Sequence, residues 1–326
     1  MTFMETPELN QHRLTISKIR QAVTLIDPVF LQTPQFISKG LSDALNCELT
    51  VKIETLNPIK CFKGRGAEVL VSNVKNNQPI VCASAGNFGQ AMAYACLKKG
   101  IDLTVFASTN ANPYKIDRMQ HFGAKVIIEG HDFDAAKILA RAFAATHGLR
   151  FIEDGEVIET LQGAATIGLE LMKLPSSLDT LLIPLGNGAL FSGIARVFKE
   201  LSPGTSLVAV QAKGAPAMLD SLRSKKYISH PTVATIADGI AVRLPVAQAL
   251  IDLASLVDET QLVSDPSIIE AMKLIHHHLG LVVEPSAAVG VAAILAHPYK
   301  WKNLRVGTII CGANLTPEQT KDWILG

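Results

Sequence analysis

The sequence predicts an α/β fold of mostly parallel, twisted sheets flanked by helices. Two observations carry that expectation. Short β-branched runs alternate with longer stretches of helical periodicity, the pattern of successive βαβ units. Several of the short runs are apolar almost throughout, as strands covered on both faces are. In chain order the expected strands are 49–54, 80–84, 103–107, 125–129, 180–185, 207–211 and 306–311. The expected helices between and after them are 65–74, 88–98, 113–122, 135–146, 158–173, 189–201 and 267–279. In such sheets ligands bind beyond the carboxyl ends of the strands, which directs attention to the loops after Ser84, Leu185 and Cys311.

Size and composition narrow the class. A chain of 326 residues can bury a full core and is expected to form one or two domains. Its character shifts near residues 76–78 and again near 151–156. The expectation is a small α/β unit, 77–157, inserted into a larger one made of 1–76 and 158–326. The last strand is followed only by a short helix-like tail, so no appended regulatory domain is expected. With 18% charged residues and a formal net charge of +1, the chain gives no reason to expect nucleic acid or an anionic membrane as partner. It has no apolar run long and uncharged enough to span a bilayer, and residues 1–20 lack the apolar core of a signal peptide. Five cysteines, Cys47, Cys61, Cys82, Cys96 and Cys311, form no Cys-x-x-Cys pair. Reduced thiols in a cytoplasmic protein are expected.

Four loops carry chemistry. Lys63, in Pro58-Ile59-Lys60-Cys61-Phe62-Lys63-Gly64-Arg65-Gly66-Ala67, stands at a strand-to-helix turn where a desolvated amine can attack a carbonyl. A lone lysine there is usually a solvated one, and Lys60 is a competitor. The loop Gly186-Asn187-Gly188-Ala189-Leu190 joins an apolar strand to a helix. Small residues there let backbone N–H groups approach an anion, and the helix N-terminus favours negative charge. A dinucleotide fingerprint needs a third glycine at Leu190 or Phe191, and it is missing. Ser84-Ala85-Gly86-Asn87-Phe88 follows a second strand. It can offer backbone amides and the Ser84 hydroxyl to a carboxylate, and the Asn87 amide to a phenolate oxygen. From this loop alone, a helix-capping role for Asn87 is favoured. In Cys311-Gly312-Ala313-Asn314 the thiol either faces a pyridine nitrogen or is a small buried cysteine. Together these parts match the needs of pyridoxal 5′-phosphate: an amine, donors for a phosphate and polar groups at the ring edge. Glu284 before Pro285 either brings a carboxylate to the site or complements a helix dipole, and Asp238-Gly239 reads as a turn. His276-His277-His278 cannot converge on one metal ion, since adjacent helical residues point apart.

The run Cys61-Phe62-Lys63-Gly64-Arg65-Gly66 resembles the Ser-Phe-Lys-x-Arg-Gly signature of the fold type II pyridoxal-phosphate enzymes, with a tryptophan synthase β-like architecture. From about Thr33 to Asn314 the motifs follow, in order, those of the serine/threonine dehydratase and serine racemase group. The resemblance implies that Lys63 is the Schiff-base lysine and that Phe62 packs beside the cofactor. It implies that Asn87 bonds the cofactor's 3′-oxygen, and that Gly186, Asn187, Gly188, Ala189 and Leu190 form the phosphate cup. Cys311 then faces the pyridine nitrogen, and Gly239 and Glu284 border the ring. Ser84, Ala85, Gly86, Asn87 and Phe88 take the substrate carboxylate.

Four departures from the pattern bear on function. Asn187 and Ala189 replace two glycines of the cup, and Phe88 stands where many relatives have histidine. Racemases of this group have a serine acid/base where this chain has Ala85, which argues for elimination. Relatives that bind a divalent cation use a glutamate and an aspartate absent from Gln211-Ala212-Lys213-Gly214-Ala215-Pro216, so no metal is expected there. The implied activity is loss of water from a β-hydroxy amino acid of the L-threonine or L-serine type, giving a 2-oxo acid and ammonia. The amino acid is the only partner implied besides a second subunit in a homodimer. Racemisation, β-replacement, threonine-synthase-like chemistry and cofactor binding without catalysis are the rivals.

Overall fold

The computed structural model describes residues 8–84 and 86–326. The strands among them are β1 (Gln35–Ile37), β2 (Glu48–Ile53), β3 (Ile80–Ala83), β4 (Leu103–Ala107), β5 (Lys125–Ile128), β6 (Arg150–Ile152), β7 (Thr180–Pro184), β8 (Ser206–Ala212), β9 (Glu259–Val263) and β10 (Arg305–Ile310). They form two sheets. The larger has the order β1-β2-β10-β7-β8-β9 and is parallel except for the edge strand β1, which runs antiparallel to β2. The smaller has the order β5-β4-β3-β6 and is wholly parallel. The mostly parallel α/β class expected from the sequence is the observed one.

Burial explains which strands are legible. Every residue of β3 and β7 is buried, and so is all of β10 after its first residue. These are the continuous apolar runs expected of strands covered on both faces. The sequence reading misses β1, β6 and β9. The first two have only three residues each, and β9, at the edge of its sheet, begins with three polar residues, Glu259-Thr260-Gln261. It also misses the body of the helix Pro285–Ala296, whose apolar residues run all round and leave no amphipathic period. That helix packs across β7, β8, β9 and β10 in the main core.

The small sheet is covered on one face by the helix Phe133–Thr146, which sets Ala136, Ala140 and Ala144 against Val81, Ala83 and Phe106. On the other face, the helices Gly64–Ser72 and Asn87–Lys99 contribute Val69, Leu70, Ala91 and Met92. This second core therefore draws in residues from before position 77, including Ile59 and Cys61. The helix Gly64–Ser72 also packs along Ile158–Leu171, which in turn packs along Ala189–Leu201. This three-helix stack joins the element after Lys63 to the element after the glycine loop.

Candidate active site

The carboxyl ends of β3, β6, β7 and β10 open into one cleft. It is lined by Phe62, Lys63, Ser84, Gly86, Asn87, Phe88, Gly186, Asn187, Gly188, Ala189, Leu190, Gly239 and Cys311, and also by Lys115, Asp154, Asp238 and Ser286. Nearly all the residues singled out from the sequence thus meet at one place. Glu284 is fully buried just behind the wall, in contact with Asn87. Ala85 lies outside the described residues.

The placement of Lys63 starts with backbone pairing. Segment 60–62 is stitched to the end of β10: the Phe62 amide donates to the Cys311 carbonyl (3.1 Å) and the Ala313 amide to the Lys60 carbonyl (2.9 Å). The chain then turns directly into the buried helix Gly64–Ser72. Two residues on, the Arg65 guanidinium anchors the first turn. It donates to both Glu54 oxygens at 2.8 Å, to Glu170 Oε1 at 2.6 Å and to Thr166 Oγ1 at 2.9 Å. Lys52 completes the cluster by donating to Glu170 Oε2 at 2.5 Å. Two cations and two carboxylates thus balance in the interior, as buried charge requires.

Lys63 Nζ donates to Asp154 Oδ2 at 2.6 Å and lies 4.8 Å from the Phe62 ring centroid and 6.0 Å from that of Phe88. Lys60, the rival amine, has φ 53° and an Nζ 3.4 Å from Tyr114 Oη, away from the cleft lining. Asp154 was not singled out in the sequence, because a lone aspartate before a glycine reads as a turn.

Asn87 does not cap its helix, contrary to the role favoured from the loop alone. Helix Asn87–Lys99 has no side-chain cap from its preceding residue. Ser84 serves the turn instead, its Oγ accepting from the amides of Gly86 (3.1 Å) and Gly89 (2.8 Å). The Asn87 side chain reaches across the cleft. Its Nδ2 donates to Glu284 Oε2 at 2.7 Å, and its Oδ1 accepts from Asn314 Nδ2 at 2.8 Å. Nδ2 has a second hydrogen, which leaves one donor for a ligand.

Lys115 is a further residue absent from the sequence reading. It is buried, and its Nζ lies 2.7 Å from Asp238 Oδ2 and 2.8 Å from Glu284 Oε1. Burial alone would lower its pKa, but the Glu284 and Asp238 charges outweigh that and hold it raised. Glu284 is therefore a paired carboxylate within the site, beyond any dipole role. No local pattern points to Lys115, since its partners lie far away in sequence.

The donor set fits pyridoxal phosphate. Gly188, with φ 95°, turns the chain into the helix Ala189–Leu201, whose first-turn amides have no side-chain cap. Those amides face the cleft as an anion cup with no acidic side chain in their turn. Gly312 leaves room for the Glu284 carboxylate beside Asn87, since an added Cβ would come within 2.0 Å of Glu284 Oε2. The Cys311 thiol is pushed up by burial and then by the Glu284 charge, so it stays protonated. It makes only a long contact, 3.8 Å, to the Ser286 carbonyl. A neutral, lightly engaged Sγ on the wall suits a pyridine nitrogen that carries no enforced charge.

Comparison with known proteins agrees. Residues 26–312 match the family model described as pyridoxal-phosphate dependent enzyme. The chain is 29% identical over 311 residues to a catabolic L-threonine dehydratase of Staphylococcus aureus, covering 93% of this chain and 90% of that one. It is 29% identical over 321 residues to a serine racemase of Oryza sativa, covering 94% and 93%. Among solved structures, it resembles the processed form of threonine deaminase isoform 2 from Solanum lycopersicum, with a TM-score of 0.86 at 28% identity over 99% of this chain and 95% of that one. Maize serine racemase gives a TM-score of 0.87 at 28% identity over 94% and 95%.

Proposed function

We propose that this chain, which belongs to the pyridoxal-phosphate-dependent enzyme family, removes water from a β-hydroxy amino acid of the L-threonine or L-serine type, yielding a 2-oxo acid and ammonia. The observation that carries this reading is Lys63 Nζ held in a cleft between the phosphate-type cup at Gly188 and the carboxylate-type loop at Ser84. Bound pyridoxal phosphate supplies the electron sink that makes a Cα proton removable.

The chain's own groups do the rest. First-turn amides at Ala189 and Leu190 would hold the phosphate, and Asn87 Nδ2 would hold the ring's 3′-oxygen. Amides of the Ser84–Asn87 loop orient the substrate carboxylate. Lys63 Nζ takes the Cα proton, the step at which a positioned base contributes most. Phe62 and Phe88 keep water from the amine. The Ala85 side chain carries no exchangeable proton where racemases of this family have a serine acid/base, which favours elimination over racemisation.

The test is a panel of β-substituted amino acids assayed for 2-oxo acid and ammonia. Pyruvate from L-serine with almost no D-serine supports the reading, and abundant D-serine overturns it. The names of the relatives, a threonine dehydratase and a serine racemase, support this substrate class. A homodimer in solution and an inserted unit at 77–157 belong to the same proposal, checked by light scattering and limited proteolysis.

A further inference from the structure

The Lys63–Asp154 pair joins two side chains that are only 16% and 13% exposed. Resting on the reading of Lys63 as the residue bound to the cofactor, that pair can exist only while the amine is free. We propose that Asp154 is the receiving site for Lys63 when a substrate amine displaces it, a positioning residue that drives the exchange forward.

The backbone on either side of Asp154 is anchored by groups other than Lys63. Its neighbour Glu153 is tied to Lys137 at 3.1 Å and Arg141 at 2.5 Å, and the Glu156 carbonyl accepts from Arg13 at 2.7 Å. Gly155, at φ 85°, packs against the glycine loop, where an added Cβ would lie 2.2 Å from the Asn187 carbonyl oxygen. Asp154 is thus clamped on both sides and stays in place when Lys63 swings away. Among the described residues no other side chain donates a hydrogen bond to its carboxylate. With Lys63 engaged on the cofactor, a largely buried carboxylate is left without its cation, and that state is penalised.

The exchange balances without any other reactant. A substrate entering as an ammonium ion gives up three protons as its nitrogen forms the C=N bond. The C=N bond to Nζ breaks, and the three protons pass to Nζ. Lysine leaves as an ammonium ion, the species that pairs with Asp154 Oδ2. Passing one proton along that 2.6 Å contact to the carboxylate gives the neutral amine that takes the Cα proton. Asp154 therefore favours the free-lysine states, both the substrate-loaded enzyme and the cofactor-free protein, over the state with Lys63 bound.

This gives two changes of opposite sign. In Asp154→Asn, pyridoxal phosphate should bind more tightly, and an amino acid with no leaving group, such as L-alanine, should displace the lysine less readily. Each change should be about fivefold, as expected for a charge-assisted contact of about 1 kcal/mol. The first constant comes from an absorbance titration of the cofactor-free protein with pyridoxal phosphate and the second from one of the holoenzyme with L-alanine. Neither needs turnover, and Asp154→Glu should restore part of each. Weakening of both affinities, or no change in either, overturns the role assigned to Asp154. Failure of the underlying reading looks different: the wild-type protein would take up no cofactor absorbance, and borohydride would fix no pyridoxyl group on Lys63.

Discussion

Replacing Arg65 by methionine tests how the reactive lysine is held. The guanidinium is fully buried and donates to Glu54, Glu170, Thr166 and Thr33. Its loss leaves Glu54 and Glu170 with Lys52 as the one remaining cation, so one carboxylate is buried uncompensated. Breaking a buried pair in this way costs about 3–5 kcal/mol. At about 2 °C per kcal/mol for a chain of this size, Tm falls on the order of 10 °C. Differential scanning calorimetry of the cofactor-free protein reads this directly. Adding Glu170→Gln matches the remaining charges, Lys52 with Glu54, so the double variant should be less destabilised than the sum of the singles by about 1 kcal/mol or more. A Tm change below about 2 °C in Arg65→Met, or strict additivity in the double variant, refutes the argument that charge balance in this cluster holds the turn after Lys63.

Other expectations follow from the same geometry. Lys63→Ala should abolish both the cofactor's lysine-bound absorbance and turnover; substantial turnover would sink the mechanism. Gly188→Ala forces a side chain into φ 95°, with its Cβ 3.1 Å from that of Ala249. It should cost about 1–2 kcal/mol and weaken phosphate binding in equilibrium dialysis. Glu170 is pushed up by burial but pulled below its ordinary 4.5 by Arg65 and Lys52. Its folded pKa is the lower one, so its contribution is complete above pH 4.5 and is lost as pH falls through the folded value; Glu170→Gln should flatten that acid limb in a denaturation series. Burial pushes the Cys47 thiol up to about 11 and Cys61 up to about 12, and all five cysteines are buried. Native protein should give almost no fast reaction with a thiol reagent at pH 8, against five thiols after denaturation.

Sequence alone determined the α/β class, because β3, β7 and β10 are short apolar runs that only a sheet buried on both faces accommodates. It also marked Lys63, the Gly186–Leu190 loop, the Ser84–Phe88 loop and Cys311, because a reactive amine, a glycine turn and a strand-end loop have local signatures. Long-range electrostatics left no such trace. Asp154 is 91 residues from Lys63, and Asp238 is 123 residues from Lys115; nothing in a local window says which charges will share a low-dielectric site. From its own loop Asn87 reads as a helix cap; the family resemblance moves it to the cofactor, and only the tertiary structure supplies the partners that hold its side chain across the cleft. Its partners Glu284 and Asn314 come from the ends of distant elements, and a hydrogen bond across such a separation is decided by how the sheets and helices pack.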